Sequence, residues 1–271
     1  LIEGFYHDGS LLFDEDGRNY IVYGNDEIWI TELNEDLTAP KKDGLHRLLV
    51  SDHKNPELGY EGSHIQKING YYYIFLVHSL RDRWMRTEAC FYSDSLEGEF
   101  TGGDVLCDDR GYCGQGVAQG GIVDTPDGKW YAMLFQDSGA VGRIPILLPV
   151  TWKDHFPFFG QNGHVPEEIE VHSTRPGYIY QPLVGSDDFC NGLLPRWQFN
   201  HDPDPRYYHL DALQGTYTIT TREVCTELTQ AVNTLTQRMS YPSCAAEVTV
   251  DASALKEGDV AGLCALQSCY A

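Results

Sequence analysis

The sequence is short of positive charge: 19 Lys and Arg stand against 40 Asp and Glu, a formal net charge of −21 over 271 residues. The acidic residues are spread over turns rather than gathered in a tail, so they read as a solvated surface. Such an excess argues against nucleic acid and anionic membranes as partners and leaves a neutral ligand as the better match. No stretch approaches the ~18 apolar residues of a membrane helix, which predicts a soluble protein, with cytoplasmic and secreted locations both open. No Cys-x-x-Cys pair occurs among the eight cysteines (90, 107, 113, 190, 225, 244, 264 and 269), and none stands near a histidine at zinc-finger spacing. Cys107 and Cys113 flank a glycine-containing loop, where a disulfide competes with the plainer reading of buried or free thiols. No long segment sustains a 3.6-residue apolar period, which argues against a helical protein.

What is present is aromatic and rich in turns, with 12% aromatic residues, 27 Gly and 17 Tyr, a composition that favours an all-β protein. Residues 14–23, 67–76 and 125–135 repeat one pattern, a polar glycine turn feeding an aromatic-rich strand. Asp-Gly and Asn-Gly are strong hairpin signals because type I′ turns need positive φ at both central residues, so each repeat is predicted as strand, tight turn, strand. The turn glycines Gly17, Gly70 and Gly128 recur at a spacing of about 55 residues, and an all-β unit of that size is most naturally a four-stranded propeller blade. A third strand and another acidic turn follow each hairpin. Asp8, Glu61 and Gln119 each lie nine positions before the turn glycine. Equal register predicts equivalent places on the innermost strands, where two carboxylates and an amide converge.

The composition changes near residue 160. Residues 161–168 read as a polar linker, continued by the irregular stretch 174–178. Alternating segments at 215–221 and 245–251 predict half-buried antiparallel strands of a β-sandwich. The predicted layout is a partial propeller over 1–160, a linker over 161–185 and a partial sandwich over 186–271.

Residues 60–73, Tyr-Glu-Gly-Ser-His-Ile-Gln-Lys-Ile-Asn-Gly-Tyr-Tyr-Tyr, resemble the general-acid blade of family 43 glycoside hydrolases, whose fold is a five-bladed propeller. Residues 7–17, His-Asp-Gly-Ser-Leu-Leu-Phe-Asp-Glu-Asp-Gly, are similar to the preceding blade of that family. Residues 116–124 and 142–152 resemble later family segments. The stretch 188–267, with Trp197-Gln198-Phe199-Asn200-His201, looks like the concanavalin-like accessory sandwich of the β-xylosidase / α-L-arabinofuranosidase branch. The resemblance covers nearly the whole chain.

It implies roles for particular residues. Inverting glycosidases, the kind this family comprises, pair an acid that protonates the leaving oxygen with a carboxylate about 6.5–9.5 Å away that activates water. Glu61 matches the general acid, and Asp8 matches the aspartate that orients the acid and modulates its pKa. Such an acid must be protonated near neutral pH, which asks for partial burial or a neighbouring negative charge. Without the resemblance, Glu61 would read as polar surface and Asp8 as an Asp-Gly-Ser turn residue. Arg143 resembles the family's substrate-binding arginine, with a surface salt bridge as the alternative. Gln119 stands where relatives carry a histidine near a central calcium ion, and an amide is a different ligand from imidazole. A structural Ca2+ is therefore left open, no metal ligand is assigned, and no cofactor is required. Trp84, Phe135 and Phe156 are candidates to stack on a sugar face, against the plainer reading of inter-blade core. Strand alternation places His64, three residues after Glu61, on the opposite face as a packing histidine.

The resemblance also marks a gap. The family's general base is an aspartate on the first blade, while this chain opens at Leu1 inside a later one, and no other aspartate here fits the base motif. Three blades do not close a ring when propellers typically have about four to eight, so the rest is expected from sequence outside this chain or from a homo-oligomeric partner. Residues 261–267 likewise read as a strand whose partners have not all appeared. Two functions follow. One is an inverting exo-glycosidase removing β-D-xylosyl and/or α-L-arabinofuranosyl units from hemicellulose oligosaccharides, with this chain incomplete and inactive alone. The other is a noncatalytic carbohydrate-binding propeller that lost its base. Retention of both Asp8 and Glu61 favours the first.

Overall fold

A computed structural model describes residues 2–240 and 243–266, so Cys269 and the end of the strand expected at 261–267 lie outside the described residues. Two compact units divide the chain after His172. The first contains three antiparallel four-stranded sheets, each in simple chain order. They comprise β1 (Ser10–Phe13), β2 (Asn19–Asn25), β3 (Glu27–Leu33) and β4 (His46–Ser51); β5 (Glu61–Ile68), β6 (Tyr71–Ser79), β7 (Arg86–Ser93) and β8 (Thr101–Leu106); and β9 (Ala118–Asp124), β10 (Trp130–Asp137), β11 (Arg143–Lys153) and β12 (Phe156–Phe159). These are the expected blades, and the fold is all-β of the propeller type.

The three turns differ in kind. Asn69 and Gly70, both at positive φ (51° and 85°), form the two-residue loop between β5 and β6, where Ile68 pairs with Tyr71. In the other two hairpins Phe13 pairs with Asn19 and Asp124 with Trp130. Their longer loops put only the glycine at positive φ, 83° at Gly17 and 80° at Gly128. The type I′ expectation therefore applies at Asn69-Gly70 alone. Because the loops differ in length, the equal nine-residue spacing is not an equal strand register. Asp8 precedes β1, Glu61 opens β5, and Gln119 is the second residue of β9.

The middle blade supplies the core to both sides. Along β6, alternate side chains point to opposite faces. Tyr72, Ile74 and Leu76 join Val22, Ile28 and Ile30 of the first blade. Tyr73 and Phe75 join Leu134, Leu148 and Phe159 of the third. Phe156 packs against this second cluster, 6.0 Å from the Tyr92 ring, as inter-blade core rather than a sugar platform. The Val165 N–H donates to Asp108 Oδ2 at 2.8 Å, so the beginning of the expected linker packs on the loop that follows β8 and on the core between the second and third blades.

Among its described residues the second unit has two short antiparallel ladders, β13 (Gln198–Phe199) with β16 (Leu235–Thr236) and β14 (Tyr208–Asp211) with β15 (Thr216–Ile219). The strand expected at 215–221 is β15. The one expected at 245–251 is corrected: alternation permits a strand, but a strand exists through its ladder, and these exposed residues have none among the described residues. Residues 261–266 form no strand either. The seven described cysteines are unpaired, Cys107 and Cys113 included. No helix among the described residues is long and apolar enough to cross a membrane.

A buried ion pair ties the first two blades together. The Asp14 carboxylate, 1% exposed, accepts from Lys67 Nζ at 2.6 Å and Tyr72 Oη at 2.5 Å. Burial pushes its pKa up, but these hydrogen bonds outweigh burial and hold it below the usual value. A depressed folded pKa adds stability above the ordinary carboxyl range of about 3.9, and that stability is lost as pH falls through the folded value. Asp14→Asn is expected to cost about 1.5–3 kcal/mol in urea unfolding at pH 7, with the difference from wild type shrinking in acid. An unchanged midpoint at pH 7 would refute the clamp.

Candidate active site

The seam between the first two blades is stitched by backbone. The Asp26 N–H donates to the Tyr60 carbonyl at 2.9 Å, and the Ile65 N–H to Ser10 Oγ at 3.1 Å. Ser63 Oγ lies 2.8 and 2.9 Å from the carbonyls of Asp8 and Val22, within donating distance of both. Asp8, in a left-handed conformation (φ 45°) that a short polar side chain tolerates, is thereby set beside the start of β5. His7, Asp8 and Glu61 each present an atom within 4.8 Å of the others. His7 Nε2 lies 3.6 Å from Asp8 Oδ2 and 3.4 Å from Glu61 Oε2, between the two carboxylates. Asn25 Nδ2 donates to the same Glu61 oxygen at 3.4 Å, and the Glu61 side chain is 21% exposed. Two carboxylates around one imidazole can share and exchange a proton.

A second group of charges faces the third blade. Glu61 pairs with Val77, Val77 with Glu88 and Glu88 with Leu106, one row across β5 to β8 whose side chains share a face. Three steps along β5 from Glu61 to His64 match two along β6 from Val77 to Phe75. This β-bulge returns His64 to the face of Glu61, which corrects the expected opposite face; its ring lies beside Gly121 of β9, where a Cβ would come within 3.6 Å of its Nδ1, and burial lowers its pKa.

Gln119 sits in a similar bulge of β9 at φ 68°. Its N–H donates to Glu88 Oε2 at 2.6 Å, and its amide lies over Gly62, where a Cβ would come within 2.7 Å of Gln119 Cγ and Nε2. Arg86, two residues before Glu88 on β7, donates from Nη2 to Gln119 Oε1 at 3.3 Å and from Nη1 to Asp137 Oδ2 at 2.5 Å. The Arg86 side chain is 5% exposed, and burial lowers its pKa against the opposing pull of Asp137. The Phe135 ring carries two guanidinium groups, Arg86 at 4.7 Å and Arg143 at 4.4 Å from its centroid. Arg143 Nε is 3.4 Å from Asp137 Oδ1.

Among the residues anticipated from sequence, Asp8 and Glu61 form one group and Gln119, Phe135 and Arg143 the other, joined at the Gln119 to Gly62 contact. Trp84, 40% exposed, packs instead on the Gly114 loop. The Gln119 amide oxygen accepts from Arg86 at 3.3 Å, which sets a positive charge beside the position where relatives are expected to carry a histidine. His7, Asn25, Arg86, Glu88 and Asp137 were not anticipated. A signal existed for two of them, since Arg86 and Glu88 are charges at alternate positions entering the apolar run Ala89-Cys90-Phe91. Glu88 has no exposed surface with which to reach a solvent water, and burial raises its pKa well above the usual carboxyl range.

Comparison with known proteins bears on what this arrangement does. Residues 2–157 match the model of glycosyl hydrolases family 43, and residues 186–271 match the β-xylosidase C-terminal concanavalin A-like domain. The solved structure of a bifunctional GH43-CE protein of Bacteroides eggerthii is 42% identical, with a TM-score of 0.74 over 88% of this chain and 31% of that one. A family 43 hydrolase with an engineered active site, displaying endo-xylanase and exo-arabinofuranosidase activity, is 28% identical with a TM-score of 0.71, covering 89% of this chain and 46% of that one. A β-xylosidase of Formosa agariphila is 28% identical over 179 residues, 58% of this chain and 30% of that protein. The chain thus spans less than half the length of each of these relatives.

Gly62 is where the two groups touch, and its φ of 64° is left-handed. Gly62→Ala is expected to cost about 1–2 kcal/mol from backbone conformation, before any displacement of Gln119. Thermal unfolding checks this, and a midpoint equal to wild type would contradict the close approach.

Proposed function

The chain belongs to glycosyl hydrolase family 43, and from that premise we propose that it carries the acid half of an inverting exo-glycosidase acting on hemicellulose oligosaccharides. The parent enzyme removes β-D-xylosyl and/or α-L-arabinofuranosyl units. The observation that carries this reading is the meeting of the Asp8 and Glu61 carboxylates around His7 at a blade seam. Glu61, partly exposed at the start of β5, protonates the leaving glycosidic oxygen. Asp8, with His7 between, orients that acid and supplies the neighbouring negative charge. Arg143 donates to sugar hydroxyls from the exposed side of the Phe135 stack, being 61% exposed where Arg86 is buried. No cofactor enters the reaction.

Asp8 is not the general base in this proposal. An inverting pair stands about 6.5–9.5 Å apart to admit a water, and Asp8 and Glu61 approach within 4.8 Å. The base comes from a part of the parent protein outside these residues. That separation is nearer the 5–5.5 Å or so of a retaining pair, so the stereochemical outcome decides between the two roles for Asp8.

The test is hydrolysis of nitrophenyl β-D-xyloside and α-L-arabinofuranoside by the full-length parent, with the first-formed anomer followed by NMR. Inversion is expected. Glu61→Gln should lower kcat roughly 10²–10⁴-fold on a substrate with a poor leaving group, and the 271-residue chain alone should show little or no turnover. Anomeric retention, or strong turnover by the isolated chain, would overturn the proposal.

A further inference from the structure

We propose that Glu88 is a positioning residue for the general acid, holding the Glu61 segment in place through Gln119 and Gly62; this rests on the reading of Glu61 as that acid. A carboxyl with no exposed surface is costly to bury, and its Oε1 has no hydrogen-bond partner among the described residues. Its placement needs a reason, and the two bulges supply one.

Along β9, pairing with β10 passes from Gly121 opposite Met133 to Ala118 opposite Phe135. The bulge releases the Gln119 N–H from the ladder, and a buried N–H needs an acceptor. Glu88 Oε2 accepts it at 2.6 Å. Gln119 is thereby held at φ 68°, with its side chain laid on Gly62, the left-handed residue of the β5 bulge that immediately follows Glu61. Arg86, on the same face of β7, fixes the far end of the same amide through Oε1. One buried strand thus grips Gln119 by backbone and side chain, and Gln119 bears on the peptide that carries the acid. Glu88 acts on Glu61 only through these contacts, not on the sugar.

The prediction is specific to proton donation. A poor leaving group needs the acid, while a dinitrophenyl leaving group departs with little help. In the full-length parent, Glu88→Met removes the acceptor and should lower kcat/KM roughly 10–100-fold on an unactivated alkyl glycoside, but less than about 3-fold on the dinitrophenyl glycoside. Glu88→Gln keeps a carbonyl acceptor and should restore most of the lost activity. A folded Glu88→Met enzyme with equal losses on both substrates would overturn the inference, because a merely structural residue has no leaving-group preference. Should Glu88→Met fail to fold, Gln119→Gly keeps the left-handed backbone and deletes the side chain over Gly62. It should show the same unequal loss, and equal losses there would also overturn the inference. Glu61→Gln separates this from the reading beneath it. If that variant shows no leaving-group dependence, the acid assignment fails and this inference with it; if it does and Glu88→Met does not, only the positioning role fails.

Discussion

The seam between the first two blades is the constraint on which the rest depends. Asp8 and Glu61 are separated by more than fifty positions in the chain, and neither is placed by its own strand alone, since Asp8 precedes β1 and Glu61 is the first residue of β5. Ser63, Ser10 and the Asp26 to Tyr60 backbone bond close the two blades against each other at that level, with the Asp14 clamp further along. Closing the seam brings two carboxyl groups together, an arrangement that is unfavourable when both are ionised. His7 between the carboxylates and Asn25 beside Glu61 offset part of that cost.

The seam between the second and third blades follows a different rule. Its apolar part is the face of β6 that carries Tyr73 and Phe75, and near the site apolar packing gives way to charge. Arg86 and Glu88 are desolvated there. Each is worth its burial only while its partner stays in place, because a buried charge or acceptor stripped of its partner bears the full desolvation cost. That makes the contact all-or-none in character and suited to holding Gln119, a residue in a conformation that an amide side chain would not choose unaided.

Much of this was legible in the sequence. Glycine turns and aromatic strands announced three blades, because hairpin chemistry and two-residue periodicity act locally. The convergence of Asp8 and Glu61 was also legible, although equal spacing from the turn glycine is not equal strand register. The Asn69-Gly70 loop is shorter than the loops at Gly17 and Gly128, so counting back from the glycine does not count strand positions. His64 was misread for a related reason, since alternation holds only in an unbulged strand and Gly62 gave no sign of being one of two interlocking bulges. Arg86, Glu88 and Asp137 are legible as buried charges but not as a group, because what unites them is an inter-blade contact with no local signature. The alternation at 245–251 showed strand propensity without ladder partners among the described residues, and propensity alone does not make a sheet.

The central claim is that Asp8 and Glu61 act as one acid unit assembled by the blade seam. A double-mutant cycle in the full-length parent, with kcat/KM measured on an unactivated alkyl glycoside whose leaving group needs the acid, tests it most directly. Groups that act as a unit are strongly non-additive. The account predicts that Asp8→Asn combined with Glu61→Gln is no worse than Glu61→Gln alone. Losses that multiply would show two independent roles and contradict it.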